Sequence, residues 1–238
     1  MKRLGAAIRT DVRLQLRNGF YHAAAFIAVF SILGLRYLPA QMREFVLPAL
    51  VVSNLLIGTF YFIAGLVLLE KAERSLQAIA VTPLRGHEYL AAKVITLGVL
   101  SLIENSAIVV LSHGFRIHIL PLILGILMGA AVYTLFGFAV VARYSSINEF
   151  LLPSIVWATP LFVPFLHYFG LSGGGFWELF FALQPLQPSL ILMRAAFVPV
   201  PAIELALAIG AGALWILIFW VWTHRGYARF VVREEVAP

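Results

Sequence analysis

Glu104 is the first residue in the chain whose type and place could do chemistry, because it is the only charged group between 94 and 115. It lies eleven residues past Lys93, roughly 16 Å along a helix that rises 1.5 Å per residue. An acid at that depth in a bilayer costs about 2.5–3.5 kcal/mol on insertion scales and usually faces a cavity or a partner. Such a carboxylate can accept a cation or pass on a proton. Asn105 follows it, and Asn54 and Trp157 are the other polar or aromatic candidates for a path through the membrane. The structural alternative for Glu104 is an acid held neutral, or hydrogen-bonded to a neighbouring helix.

Other combinations fall short of chemistry. His87 and Glu88 begin the HExxH zinc-protease pattern, but Ala91 stands where the second histidine belongs. His113 and His118 can approach one another, yet two histidines without a carboxylate or third ligand do not make a metal centre. Gly210 and Gly212 open a dinucleotide-loop pattern that Trp215 breaks, with no strand before it. Leu171 to Gly175 spell most of an ATPase signature, but the chain has no GxxxxGK[ST] phosphate loop, so this run reads as a flexible turn. There are no cysteines, which excludes disulfides, thiolate metal sites and cysteine nucleophiles. The chain is therefore expected to bind no cofactor and no metal, and to carry no catalytic residues.

The elements that would hold these residues are hydrophobic. Of 238 residues, 62% are hydrophobic and 12% charged, against roughly 25% charged in a soluble domain. Lipid is the fitting solvent. The formal net charge of +6 comes from basic residues at the ends of apolar segments, which excludes a nucleic-acid-binding face. Uncharged stretches at 18–35, 45–69, 117–142, 150–177 and 205–223 reach the length of about 20 residues that a bilayer needs. The stretch at 94–115 does so too if Glu104 is tolerated. Backbone amides in lipid must be paired within the segment, so each stretch must be helical.

The expected fold is an all-α integral membrane protein with six transmembrane helices in one domain, residues 1–238. The spans are placed at about 18–38, 45–69, 92–113, 118–142, 150–169 and 203–223. Residues 1–17 set Leu4, Ala7, Ile8 and Leu14 at helical spacing between arginines, as in an interfacial helix. The apolar piece before the last span carries Pro185 and Pro188 and is too short to cross, so 176–201 is expected to be an external re-entrant segment. The first apolar segment runs into a full span rather than a cleavage site, so no cleaved leader is expected.

Charge placement sets the orientation. With both termini inside, Lys2, Arg3, Arg9, Arg13, Arg17, Lys71, Arg74, Arg85, Lys93, Arg143, Arg225, Arg229 and Arg233 lie on the cytoplasmic side. Arg36, Arg43, Arg116 and Arg194 lie outside. A seventh span would put the basic tail on the wrong face. Trp157, Tyr168, Trp177, Trp220, Trp222 and Tyr227 fall near span ends as interfacial aromatics do. Gly125, Gly129 and Gly137 place small residues on one side of the fourth span, suited to close packing inside the chain. Pro153, Pro160 and Pro164 can kink the fifth.

Residues 70–91 form the longest internal cytoplasmic segment. Residues 72–81 can make a short amphipathic helix with Leu76, Ile79 and Ala80 on one side, ended by Thr82-Pro83. At the base of two spans, such a helix offers a docking surface for a partner. From Glu70 to Lys93 the chain resembles the loop between spans two and three of type-2 ABC exporter permeases. The resemblance is carried by Glu70, Lys71, Leu76, Thr82, Pro83, Leu84, Glu88, Tyr89, Leu90 and Lys93. Arg74 and Ser75 replace the usual Gly-Thr, and Arg85 stands where a small hydroxyl residue is common. Pro185, Leu190 and Arg194 echo the family's proline-to-arginine stretch before span six.

The resemblance implies a transport subunit, not an enzyme, with 70–91 as its coupling loop. Glu70, Glu73, Arg74, Leu76, Thr82, Pro83, Arg85 and Glu88 would then meet a separate ABC ATPase subunit, present in two copies and holding ATP and Mg. It also implies a second permease copy, identical or homologous, with spans two and five lining the path between the copies. The cargo would be an amphipathic small molecule, drug, antibiotic or lipid-like, exported across the bacterial inner membrane. An ion-coupled secondary transporter and an intramembrane enzyme remain the alternatives.

Overall fold

The computed structural model describes residues 2–73, 84–171 and 175–236. Every regular element among the described residues is a helix, as an apolar chain that must pair its own backbone requires. Helix α1 (Lys2–Arg17) ends at Asn18, and Gly19 takes a left-handed φ of 77° to start α2 (Phe20–Arg36). Nothing crowds Gly19, so glycine is needed there for its backbone alone. The turn bends α1 by 64° from α2.

Pro39 precedes α3 (Ala40–Leu55), which passes through one π-helical turn at Leu56–Tyr61 into α4 (Phe62–Ala72). Then follow α5 (Gly86–His113) and α6 (Ile119–Val141). Next come α7 (Ile147–Ala158), a 3-10 turn at Thr159–Phe162 and α8 (Val163–Tyr168). Two short helices, α9 (Phe176–Ala182) and α10 (Gln187–Ala195), precede α11 (Ala202–Val236). Five of these units are long and apolar enough to cross a bilayer, and the bent α1–α2 pair makes up to six.

The helices reach beyond the spans read from the sequence, at Ala40 before the second, at Gly86 before the third and at Val236 after the last. Helix α5 begins at Gly86, because the Glu88 carboxylate accepts the Arg85 backbone N–H at 2.9 Å and caps the helix there. The last helix runs on to Val236 instead of stopping near 223. The residues after Gly226 include no proline until the final position, so nothing local ends it. The proposed short helix at 72–81 falls almost wholly outside the described residues, as does the glycine turn at 172–174.

The core forms around α6. A Cβ on Gly125 would meet Met193 and Leu192 of α10 at 2.9 and 3.2 Å. One on Gly129 would meet Leu55 and Ser189 at 2.7 Å, and one on Gly137 would meet Ile63 and Phe60 at 2.8 and 3.0 Å. The three glycines therefore seat the second span and the α10 helix against α6 within one chain. Ser189 Oγ donates to the Gly125 carbonyl at 2.8 Å, a bond that such close approach permits. At the fifth span Pro160 opens the 3-10 turn and Pro164 begins α8, so two of the three prolines fall where the helix changes form.

Candidate functional site: the charged base of the 70–91 loop and the acid beside the π-turn

The two feet of the loop are the ends of α4 and α5, and a buried ion cluster joins them. Lys93 Nζ reaches Glu70 Oε1 at 2.5 Å and Asp11 Oδ1 of α1 at 2.7 Å. The Tyr89 hydroxyl donates to the other Glu70 oxygen, and Lys93 lies 5.0 Å from the Tyr89 ring centre. One turn further, Gln15 Nε2 donates to Thr96 Oγ1 at 2.9 Å. The Lys93 side chain is only 1% exposed, so its charge must be paired in place. Burial pushes the Asp11 carboxyl up to about 6, with the Lys93 ammonium pulling the other way.

Weaker contacts brace the same base. Lys71 Nζ donates to the carbonyl of Tyr144 at 2.6 Å and, more loosely, to that of Ala142, where the end of α6 favours a cation. Arg17 and Glu73 pair at 2.6 Å with both side chains substantially exposed, an arrangement worth at most about 1 kcal/mol. Among the residues expected in the coupling loop, Glu70 is thus buried, Glu73 is paired at the surface, and Arg85 and Glu88 form the start of α5. Arg74, Leu76, Thr82 and Pro83 lie outside the described residues.

Glu104 lies on α5 against the π-turn. A Cβ at Gly58, inside that turn, would sit 3.2 Å from Glu104 Oε2 and 3.4 Å from Ser101 Oγ. The acid is 5% exposed, and neither carboxyl oxygen has a hydrogen-bond partner among the described residues. Ser101 Oγ and Asn105 Oδ1 are likewise buried and unpartnered, while Asn105 Nδ2 donates to the Ser101 carbonyl at 2.9 Å. Insertion of a π-turn widens a helix locally and recurs at functional sites. Asn54 sits just before this turn, and its amide donates to Ser31 Oγ of α2 at 3.1 Å.

Trp157 belongs to a different group. Its indole N–H donates to the Tyr144 hydroxyl at 3.2 Å, and the Arg143 guanidinium lies 5.2 Å from its ring and 5.8 Å from Trp222. It therefore joins the braced end of the bundle and packs on Phe136. His113 lies edge-on to Phe197, and the His118 backbone N–H donates to the Ala196 carbonyl.

Asp11, Gln15 and Thr96 were not among the sequence candidates. Their signal was present: Leu4, Ile8, Asp11 and Gln15 recur at helical spacing, so two polar residues interrupt the apolar stripe of α1.

The model of the fluoroquinolones export permease protein family matches residues 2–235. Two fluoroquinolones export permease proteins of Mycobacterium tuberculosis, from strains CDC 1551 / Oshkosh and ATCC 25618 / H37Rv, are each 36% identical over 199 residues. The alignment covers 83% of this chain and 82% of each relative. Spans, loop motif and kinship agree on a multi-pass export permease, a transport subunit rather than an enzyme, of the kind that the 70–93 segment resembles. The chain belongs to the fluoroquinolones export permease protein family.

Proposed function

We propose that this chain is the membrane-spanning subunit of an ATP-driven exporter of the bacterial inner membrane. Both termini are cytoplasmic, and two permease copies, identical or homologous, stand on two ABC ATPase subunits that hold ATP and Mg. The carrying observation is the buried Asp11–Lys93–Glu70 cluster under the 70–91 loop. A loop that only connected two helices would not need three elements locked at its feet. A loop that receives force does, since displacement at its tip must move α1, α4 and α5 together. Glu70 acts as the internal tie, Glu73, Arg74, Leu76, Thr82 and Pro83 meet the ATPase, and Arg85 with Glu88 sets where the helix begins.

The cargo proposed is an amphipathic small molecule, and the relatives' names point to aromatic drugs of the fluoroquinolone kind. Alternating access would carry it along a path with Asn54, Glu104 and Asn105 at mid-depth and Trp157 nearer the ATPase. The test is a pair of loop variants, Glu73→Lys and Leu76→Trp, in membranes that also contain the ATPase. Vanadate-sensitive ATP hydrolysis should persist while export falls. Unchanged export in both variants would remove the loop from the mechanism.

The unpartnered Glu104 carboxyl favours one second reading, export driven by protons rather than ATP. Collapse of the proton gradient at constant ATP separates the two. ATP-driven export continues under that treatment, and proton-driven export stops.

A further inference from the structure

At the end of the bundle opposite the Glu70 cluster lies a cavity of about 360 Å³, at the low end of the roughly 300–1,000 Å³ of small-molecule sites. Its walls come from the start of α3, the end of α8, the length of α10 and the start of α11. Glu44, Glu204, Arg194 and His167 supply its titratable groups. Phe45 and Tyr168 supply an aromatic wall, stacked with ring centres 5.4 Å apart, and the Tyr168 hydroxyl donates to the Phe45 carbonyl at 2.8 Å. The cavity is thus built from tied side chains and is not a gap between loose ends.

Its charges are unevenly used. Arg194 pairs with Glu204 at 2.6 Å, which leaves the Glu44 carboxylate without an ion-pair partner among the described residues. Gln187 lines the space as a residue, but its Oε1 is turned away from it, buried and without a hydrogen-bond partner among the described residues. Two carboxylates against one guanidinium, with the exposed Glu44 unpaired beside an aromatic wall, favour one ligand chemistry. That ligand has a compact aromatic body and a protonated amine, whose N–H groups pair with Glu44 while the body lies along Phe45 and Tyr168.

We propose that this cavity binds amphipathic aromatic amines at the end of the permease remote from the ATPase-coupling loop. The inference rests on the export reading above and adds to it a place and a charge class. On that path it is the site from which cargo leaves.

The experiment uses the full chain reconstituted in vesicles of phosphatidylethanolamine and phosphatidylglycerol. The probe is a fluorescent fluoroquinolone with a free piperazine amine, compared with the same compound acetylated on that amine. The free amine should bind more tightly, and Glu44→Gln should weaken it roughly tenfold while leaving the acetylated compound unchanged. Glu149→Gln, at the other end of the bundle, should change neither. Equal binding of both compounds, or no loss in Glu44→Gln, overturns the proposal. ATP-dependent uptake into inverted vesicles containing the ATPase separates the two claims. Intact uptake with no amine-selective binding rejects the cavity alone, whereas intact binding with no uptake rejects the exporter reading.

Discussion

Lys93 shows how one side chain can decide the behaviour of a loop. Its ammonium is buried between two carboxylates from different helices, and removing one partner of such a cluster leaves the others uncompensated, at about 3–5 kcal/mol. Lys93→Met is therefore expected to lower the unfolding midpoint of the purified protein far more than Arg17→Met, whose pair is exposed. Comparable losses in the two variants would contradict the buried cluster. Asp11 adds a pH dependence. Burial holds its carboxyl at about 6, above the ordinary aspartate value of 3.8, so the stability that it contributes is present below about 4 and is lost as pH rises through 6. Asp11→Asn removes this pH dependence, so its stability relative to the natural protein should improve as pH rises from 4 to 7. Midpoints of the two proteins measured across that range, running parallel, would show that Asp11 is not perturbed.

The glycines of α6 make a sharper case at the level of the element. Gly137 has Ile63, Phe60 and the Phe60 backbone within 3.1 Å of its would-be Cβ, whereas Gly210 of α11 has nothing within 4 Å. Gly137→Ala should cost about 1–3 kcal/mol by overpacking, and Gly210→Ala should be neutral, as read by thermal unfolding in one detergent. Loss of stability in Gly210→Ala alone would mean that α6 is not the packing centre. These glycines were legible in the sequence because small residues at turn spacing are a packing signal. Glu104 was legible because an acid in an apolar run is conspicuous. Asp11 leaves a fainter mark, a polar break in the apolar stripe of α1 that the four arginines around it mask, and its partners on α4 and α5 reveal the buried side. The far cavity was beyond reach for another reason: its residues come from 41–45, 167–168, 187–198 and 204, and no local pattern links segments so far apart in the chain. The π-turn left no trace either, because Gly58 reads as one more small residue until Glu104 is set against it.

For the whole molecule, the two ends of the bundle differ in kind. One end holds the ion cluster, the braces from Lys71 and Arg17, and Arg143 between two tryptophans. The other holds the cavity with its excess of carboxylate. The basic residues follow the same division, and translocation retains basic segments on the cytoplasmic side, so the cluster end should face the ATPase and the cavity end the exterior. The chain has no cysteine of its own, which makes the test direct. Glu88→Cys, at the start of α5, and Gln41→Cys, at the cavity mouth, each introduce one thiol into an otherwise blank protein. A maleimide that cannot cross membranes, added to intact cells, should label Gln41→Cys and spare Glu88→Cys, and after permeabilisation it should label both. The reverse pattern would put the loop on the outside, where no ATPase could reach it, and would turn the cavity from an exit into an entrance.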